Sequence, residues 1–374
     1  MNTYNRAEAI IDLDRISENV KHLKGLAGVD LMAVVKADAY GHGLIPVARA
    51  ALAGGAKSLG VALLEEAITL REAGISAPIL AWLVPPGSDY KAAVDHDIEL
   101  AASSIIALDE ISAVKSANRP RVHLEVDTGM TRGGFLGEWG KLDAHHVANL
   151  DIVGIFSHFA RADEPGQEQN DLQRARFKEM VATLESFGFT NIVRHLSNSA
   201  ATLKDSDSRF DLVRTGIAIY GLTPDVNTLG TSISLGLKSA MSLRAKLHLV
   251  KEVPANSPVG YGATAVTDRY TKLGIVAMGY ADGIPRIAQG AGIFVHGTRA
   301  PIIGRVSMDQ FVVNLGPDSQ AISGEWVEVF GDGVAGGYTA EDWGSASGSI
   351  NYEIVTRIGS RVPRIYRSSS PAKE

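Results

Sequence analysis

Eight short apolar runs, most of them separated by helix-length segments, constrain this chain more than any other feature of its sequence. They are Leu31–Val35, Leu59–Leu63, Ile79–Leu83, Ile98–Ala102, Val122–Val126, Ile152–Phe156, Ile192–Leu196 and Ile217–Tyr220. Runs this short and this apolar fit strands buried on both faces. In the intervening segments, such as Arg15–Leu26, Leu44–Ala53, Glu65–Ala73 and Leu172–Phe187, the apolar period moves toward 3.6. Strands alternating with helices predict an α/β fold, a (β/α)8 TIM-like barrel over residues 1–234. From residue 235 the pattern changes to β-branched and polar residues in alternation, as at Phe294–Val295 and Phe311–Val313, broken by glycine turns. That predicts a C-terminal mostly-β domain over residues 235–374, with the tail Ser368–Glu374 frayed.

A chain of 374 residues, 45% hydrophobic and 21% charged, is long enough for two such domains. Its formal charge of −6 and the lack of any basic run argue against nucleic acid as a partner. No apolar stretch approaches the roughly 20 residues that span a bilayer, and the opening MNTYNRAEAIIDLD has no basic segment followed by an apolar one. A cytoplasmic protein without membrane contact is expected. The absence of cysteine excludes disulfides, thiolate metal sites and a cysteine nucleophile; no metal site is expected.

In a parallel barrel, polar residues just past the C-terminal ends of the strands meet at one mouth, however far apart they lie in sequence. Lys36 follows LMAVV, His158 follows GIFS, Asn198 and Ser199 follow IVRHLS, and Arg214 and Gly216 stand just before the eighth run. A lysine at the end of a buried strand is partly desolvated, shifts toward its neutral form and can make a Schiff base. A lone strand-end lysine more often leaves the rim for solvent, so its surroundings decide. Here they are VVKADAYGHG, with Tyr40 four residues on and glycines at 41 and 43 that let backbone approach a ligand.

VVKADAYGHG resembles the cofactor-lysine motif of the alanine racemases, and the resemblance runs along nearly the whole chain. Further matching stretches are HLEVDTGMTRGGF (123–135), GIFSHFARAD (154–163), HLSNSA (195–200), VRTGIAIYG (213–221), VGYGAT (259–264), MGYADGIPR (278–286), GRVSMDQ (304–310) and NYEIVTRIGSRVPRIY (351–366). The resemblance implies pyridoxal 5'-phosphate as cofactor, alanine as substrate, and a homodimer whose C-terminal domain completes the partner subunit's site. Interconversion of L- and D-alanine for cell-wall synthesis is the role it implies.

By the same resemblance, Lys36 carries the cofactor, and Tyr40, Ser199, Gly216, Ile217 and Tyr352 hold its phosphate with Asn198 beside them. Ser199 and the Gly216–Ile217 backbone also fall after strands seven and eight, where barrels often bind phosphate. Arg214 is implied to face the pyridine nitrogen; a guanidinium can only donate there, which weakens the ring as an electron sink. Racemisation needs a base on each face, and the resemblance supplies Tyr261, placed across the dimer interface from Lys36. His158 would help that phenol act near neutrality. Arg132 matches an arginine near the cofactor oxygen and the substrate carboxylate. Met308 and Asp309 match residues that the partner subunit lends to the substrate, and Tyr280, Asp282 and Arg286 match an access corridor.

One departure stands out. Where many relatives carry a carbamylated lysine that orients the equivalent of Arg132, this chain has Glu125, which presents a carboxylate directly from a shorter stem. Serine or broad-specificity racemisation on the same fold stays open, since a methyl or hydroxyl is worth only roughly 1–3 kcal/mol in a pocket. A non-catalytic cofactor-binding barrel is a third reading, although such relatives lack the C-terminal domain and Tyr261.

Overall fold

A computed structural model of the chain describes residues 5–369; residues 370–374 of the expected frayed tail lie outside that range. The chain divides into two compact units. One comprises Ile16–Ala39 and Leu44–Leu237; the other comprises the described residues up to Arg15, Tyr40–Gly43, and the described residues from Lys238 on.

The N-terminal strand β1 (Ala7–Asp12) belongs to the second unit. Eight parallel strands then build the barrel: β2 (Asp30–Val34), β3 (Ser58–Val61), β4 (Ile79–Ala81), β5 (Glu99–Ala102), β6 (Arg121–Glu125), β7 (Asp151–Phe156), β8 (Val193–His195) and β9 (Leu212–Thr215). They pair in sequence order from β2 to β8, and β9 pairs with β2. Backbone bonds from Asp211 N to Arg194 O (3.1 Å) and from Arg214 N to Ser197 O (2.9 Å) join the remaining edges and close the cylinder. Met32, Leu80, Ala101, Phe156 and Leu212 fill the interior with Trp82 packed against them. Gly60 makes room for that indole, because a Cβ there would stand 2.6 Å from the Trp82 ring. The helices follow the apolar period: Glu168–Ser186 buries Gln173, Phe177, Val181 and Leu184 along one stripe.

The eighth strand is displaced from its expected position. Leu212–Thr215 forms it, whereas Ile217–Tyr220 is a 3₁₀ turn, so Arg214 lies within the last strand and not before it. Short apolar runs are ambiguous between strand and buried turn. Here Gly216, at φ −99° and ψ −99°, breaks the extended backbone, and the Tyr220 hydroxyl anchors the turn on Val34 O at 2.9 Å.

In the other unit the long strand β10 (Met241–Val253) is the hub. The short pair β11 (Pro258–Val259) and β12 (Ala265–Val266) follows it. After them come β13 (Thr271–Val276), β14 (Gly292–Val295), β15 (Thr298–Pro301), β16 (Phe311–Asn314), β17 (Trp326–Phe330) and β18 (Arg364–Arg367). β10 pairs antiparallel with β1, β13 and β17, and β1 pairs parallel with β18. Residues 7–12, which the expected division at 234/235 counts with the barrel, therefore complete this sheet. Among the described residues no helix is long and apolar enough to cross a membrane.

Asp282, fully buried, is clasped by Arg6 through Nη2–Oδ1 at 2.6 Å and Nη1–Oδ2 at 3.0 Å, clipping the N-terminal segment to the sheet 276 residues away. Arg6→Ala removes two of the donors to that carboxylate and leaves it to Arg361 Nε at 3.3 Å and the Gly279 amide at 3.0 Å. A loss of about 2–3 kcal/mol in the stability of this unit is expected from urea unfolding; an unchanged midpoint would contradict it.

Candidate functional site

Every barrel strand runs the same way, so the residues after their C-terminal ends share a mouth. Lys36 opens a single turn of left-handed helix: Ala37, Asp38, Ala39 and Tyr40 have φ between 52° and 54°, and Gly41 has φ 76°. Each non-glycine residue in that conformation costs about 1–2 kcal/mol, so the turn persists only because its polar groups are held. Glu66 Oε1 accepts from Ala37 N (2.5 Å) while Oε2 accepts from Ala62 N and Leu63 N (3.1 Å each), and Asp38 Oδ1 caps Leu44 N at 2.7 Å. The turn aims the half-buried Lys36 ammonium 6.0 Å from the Trp82 ring. Burial lowers the pKa of Lys36, the Arg132 charge lowers it further, and Glu66 opposes both.

Past β8 and β9, two turns begin side by side. Asn198 caps the helix Ser199–Lys204 by accepting from Ala201 N at 3.0 Å. Ser199 Oγ accepts from Gly216 N (3.0 Å) and Ala218 N (3.4 Å), which leaves its own proton to be donated elsewhere. Between those amides the Ile217 N–H, first in its 3₁₀ turn, has no acceptor among the described residues. The result is a cluster of uncommitted donors without a carboxylate, suited to an anion.

Arg214 is buried within the same mouth. Its Nη1 donates to His195 O (2.7 Å) and its Nη2 to Ser157 O (2.6 Å) and Leu196 O (3.2 Å); Nε has no acceptor among the described residues. Burial pulls its pKa down to about 10 despite the nearby Glu125 charge. Nη2 also meets His158 Nδ1 at 3.3 Å. Since a guanidinium only donates, Nδ1 must accept and the His158 proton sits on Nε2. Burial and the charges of Arg214, Arg132 and Lys36 lower the His158 pKa to about 3, so the ring is neutral at physiological pH. Glu125 ends β6 with its pKa raised by burial against the pull of Arg214 and Arg132. Its carboxylate faces Gly133, where a Cβ would lie 3.1 Å from both oxygens.

Lys36, Glu125, Arg132, His158, Asn198, Ser199, Arg214, Gly216 and Ile217 thus belong to the barrel unit, and Tyr40, Tyr261, Met308, Asp309 and Tyr352 to the other. Within the latter, the Tyr40 and Tyr352 rings stand 6.2 Å apart. Tyr261, in a glycine-flanked turn, is 72% exposed, and Met308 is exposed too. Asp309 pairs with Arg361 at 2.7 Å. Asp282, matched by resemblance to an access corridor, is buried, its carboxylate taken up by Arg6 and Arg361. Trp82, Glu66 and the buried histidines 123 and 195 escaped the sequence reading. The strand-end rule applied to Ile79–Leu83 would have found Trp82. Nothing in the sequence marks the others. Among the described residues no cluster of three or more His, Asp or Glu is arranged to hold a metal ion.

His158 makes the barrel acid-sensitive. With a folded pKa of about 3 against 6.5 for the free side chain, the unfolded state binds more protons between these values, so stability present above pH 6.5 is lost as pH falls through that window. His195, pushed the same way by burial, by the neighbouring His123 and by the Arg214 charge, adds to the effect. His158→Gln should flatten the dependence of the urea midpoint on pH, by up to about 1.4 kcal/mol per pH unit. An identical slope in the variant would argue against a neutral buried His158.

Comparison with known proteins gives this geometry a family. The alanine racemase N-terminal domain matches residues 11–224 and the C-terminal domain residues 240–366. An alanine racemase of Salinispora arenicola is 48% identical over 376 residues, covering 98% of this chain and all of its own length. That of Thermobifida fusca is also 48% identical, covering 96% and 98%. The crystal structure of alanine racemase from D-cycloserine-producing Streptomyces lavendulae superimposes with a TM-score of 0.96 at 46% identity, covering 99% of both chains. The Bacillus anthracis enzyme with bound L-Ala-P gives 0.89 at 37% identity, covering 100% of this chain and 98% of that one. With family domains spanning the barrel and the β unit, and relatives matched along nearly their full length, the chain belongs to the alanine racemase family of isomerases.

Proposed function

We propose that this protein interconverts L-alanine and D-alanine with pyridoxal 5'-phosphate held in the barrel mouth, supplying D-alanine for cell-wall synthesis in the cytoplasm. The observation that carries the reading is Lys36: a desolvated lysine, depressed in pKa, at the C-terminal end of a barrel strand on a turn held by Glu66.

The donor set fits the cofactor. Ser199, Gly216, Ile217 and the cap at Asn198 would take the phosphate, with Tyr40 and Tyr352 from the other unit, and the free Arg214 Nε–H would face the ring nitrogen. When bound, pyridoxal phosphate supplies an electron-withdrawing ring that acidifies the α-proton of an amino acid joined to it. Lys36 Nζ would hold the cofactor and then take or return that proton on one face. The phenol of Tyr261 of the partner subunit would serve the other face, because one base alone tends to return a proton to the side it came from. His158, with its proton on Nε2, can donate to a phenolate oxygen and favour its formation. Arg132 would receive the substrate carboxylate, its through-space neighbour Glu125 standing where many relatives have a modified lysine. Met308 and Asp309 of the partner subunit would border the substrate, and a β unit separate from the barrel unit would serve this sharing of sites.

Two measurements test the proposal. Borohydride reduction followed by peptide mapping should find the cofactor on Lys36, and its recovery on another lysine would overturn the assignment. Lys36→Ala and Tyr261→Phe protomers, each inactive alone on alanine, should in verified mixed dimers regain about half the wild-type activity, since one of two sites then has both groups. No recovery would argue against shared sites. Chiral chromatography of alanine and serine after incubation ranks the substrates.

A further inference from the structure

Beneath the mouth, polar side chains from four barrel strands touch in series. Arg214 Nη1 meets His195 Nδ1 at 3.3 Å, His195 Nε2 meets His123 Nδ1 at 2.9 Å, and His123 Nε2 meets Glu99 Oε2 at 3.0 Å. Arg121 Nη2 closes the series on the other Glu99 oxygen. Arg214, His195, His123 and Glu99 are all buried. We propose that Glu99, His123 and His195 are positioning residues for Arg214, forming a hydrogen-bond relay that runs in one direction only, from guanidinium to carboxylate. The proposal rests on the reading above that Arg214 Nε–H serves the cofactor's ring nitrogen.

The direction follows from donor chemistry. A guanidinium has no acceptor, so His195 must accept at Nδ1 and carry its proton on Nε2. That proton leaves His123 Nδ1 only the acceptor role, so its own proton is on Nε2, pointing at Glu99. A carboxylate accepts there without difficulty. Each link is satisfied in this single arrangement, with both imidazoles neutral and Glu99 ionised. Reversing either ring's tautomer sets two N–H groups against each other, and protonating His195 places a cation against Arg214.

The surrounding charges agree. Burial acts to raise the Glu99 pKa, but the hydrogen bond from His123 and the charges of Arg121 and Arg71 bring it below the usual carboxylate range. Burial, with His123 and Arg214 adding to it, disfavours the imidazolium of His195. Glu125, Arg132 and His158 face Arg214 from the mouth side.

The sequence also makes room for the relay. A Cβ at Gly154 on β7 would collide with the His123 ring, and two residues on, Phe156 stacks against His195 (centroids 5.0 Å apart, 20° between planes). The same phenyl ring lies 5.3 Å from the Arg214 guanidinium. The rings are therefore fixed in orientation as well as in hydrogen bonding. The consequence for Arg214 is that Nη1 and Nη2 are both anchored, which leaves Nε–H as the donor that points to the ligand.

The test begins on the unaltered cofactor-loaded enzyme with 15N-labelled histidine, using His123→Gln and His195→Gln spectra to assign the signals. Long-range 1H–15N correlation at about pH 8 should show both rings as neutral Nε2–H tautomers. An Nδ1–H tautomer, or an imidazolium, at either ring would overturn the relay, whatever the role of Arg214. The second arm compares His195→Leu, which removes the acceptor, with His195→Gln, whose amide accepts at oxygen and donates at nitrogen. His195→Leu should lower kcat about 10-fold or more at little changed KM and shift the cofactor absorption, and His195→Gln should recover most of both. Wild-type rate and spectrum in His195→Leu would overturn the proposal. In that event Arg214→Leu locates the fault: a crippled Arg214→Leu enzyme leaves the reading of Arg214 standing and indicts the relay alone, whereas an unaffected one indicts both. Should His195→Leu fail to fold, the tautomer measurement still decides.

Discussion

A nearly fully buried cation sits in the mouth of this barrel. Placing the Arg214 guanidinium there costs several kcal/mol unless nearly every donor finds an oxygen or nitrogen. The parallel barrel meets that demand locally. The carbonyls of Ser157, His195 and Leu196, at or just past the ends of β7 and β8, accept from the arginine that β9 delivers. Those same strand ends present His158, Asn198 and Ser199, so the geometry that stabilises Arg214 also assembles the donors around it. A tilt of β9 by one residue would turn Arg214 outward and bring Val213 or Thr215 in, because side chains alternate across a strand.

The left-handed turn after β2 is the converse case, in which strain is retained for position. An ordinary right-handed helix starting at Lys36 would direct residues 37–40 along a different path. The turn instead places Lys36 in one unit and Tyr40 in the other, four residues apart, with Glu66 and Asp38 holding the first unit's part and Arg364 donating to Gly41 O at 3.0 Å in the second. Glu66 does two jobs with one carboxylate. It caps its own helix and fixes the amide next to the lysine, which ties the position of Lys36 to a helix that carries none of the chemistry.

How far the sequence is legible follows from the range of each interaction. Lys36, His158, Ser199 and Arg214 are visible because they stand at or near the ends of apolar runs, a signal contained within a few residues. The eighth strand is misplaced because Ile217–Tyr220 is more apolar than Leu212–Thr215, whose third residue is the buried arginine; a polar residue doing functional duty makes its own strand look unlike one. Strand β1 is hidden for another reason. Ala7–Asp12 reads as a strand by itself, but its partners lie beyond residue 240, and no local pattern announces such pairing. The same holds for Glu99, His123 and His195, where contacts span 24 and 72 residues and each residue alone looks like an ordinary strand position.

Glu125 acts on its neighbours through charge more than through contact. A carbamylated lysine and a glutamate both bring one negative charge toward Arg132, but the glutamate stem is shorter and needs no added carbon dioxide. Here the carboxylate makes no ion pair with Arg132 or Arg214 among the described residues, and it acts on both through space. Its burial raises its pKa while the two arginines oppose the rise, so its charge depends on them. Gly133 allows the arrangement, since any side chain there would press on both carboxylate oxygens. The loop bearing Arg132 is held instead by Asp127, whose Oδ1 accepts from the amides of Gly129, Met130 and Thr131 at 2.8–3.1 Å. Orientation of Arg132 is thus divided between a backbone clamp and a nearby charge.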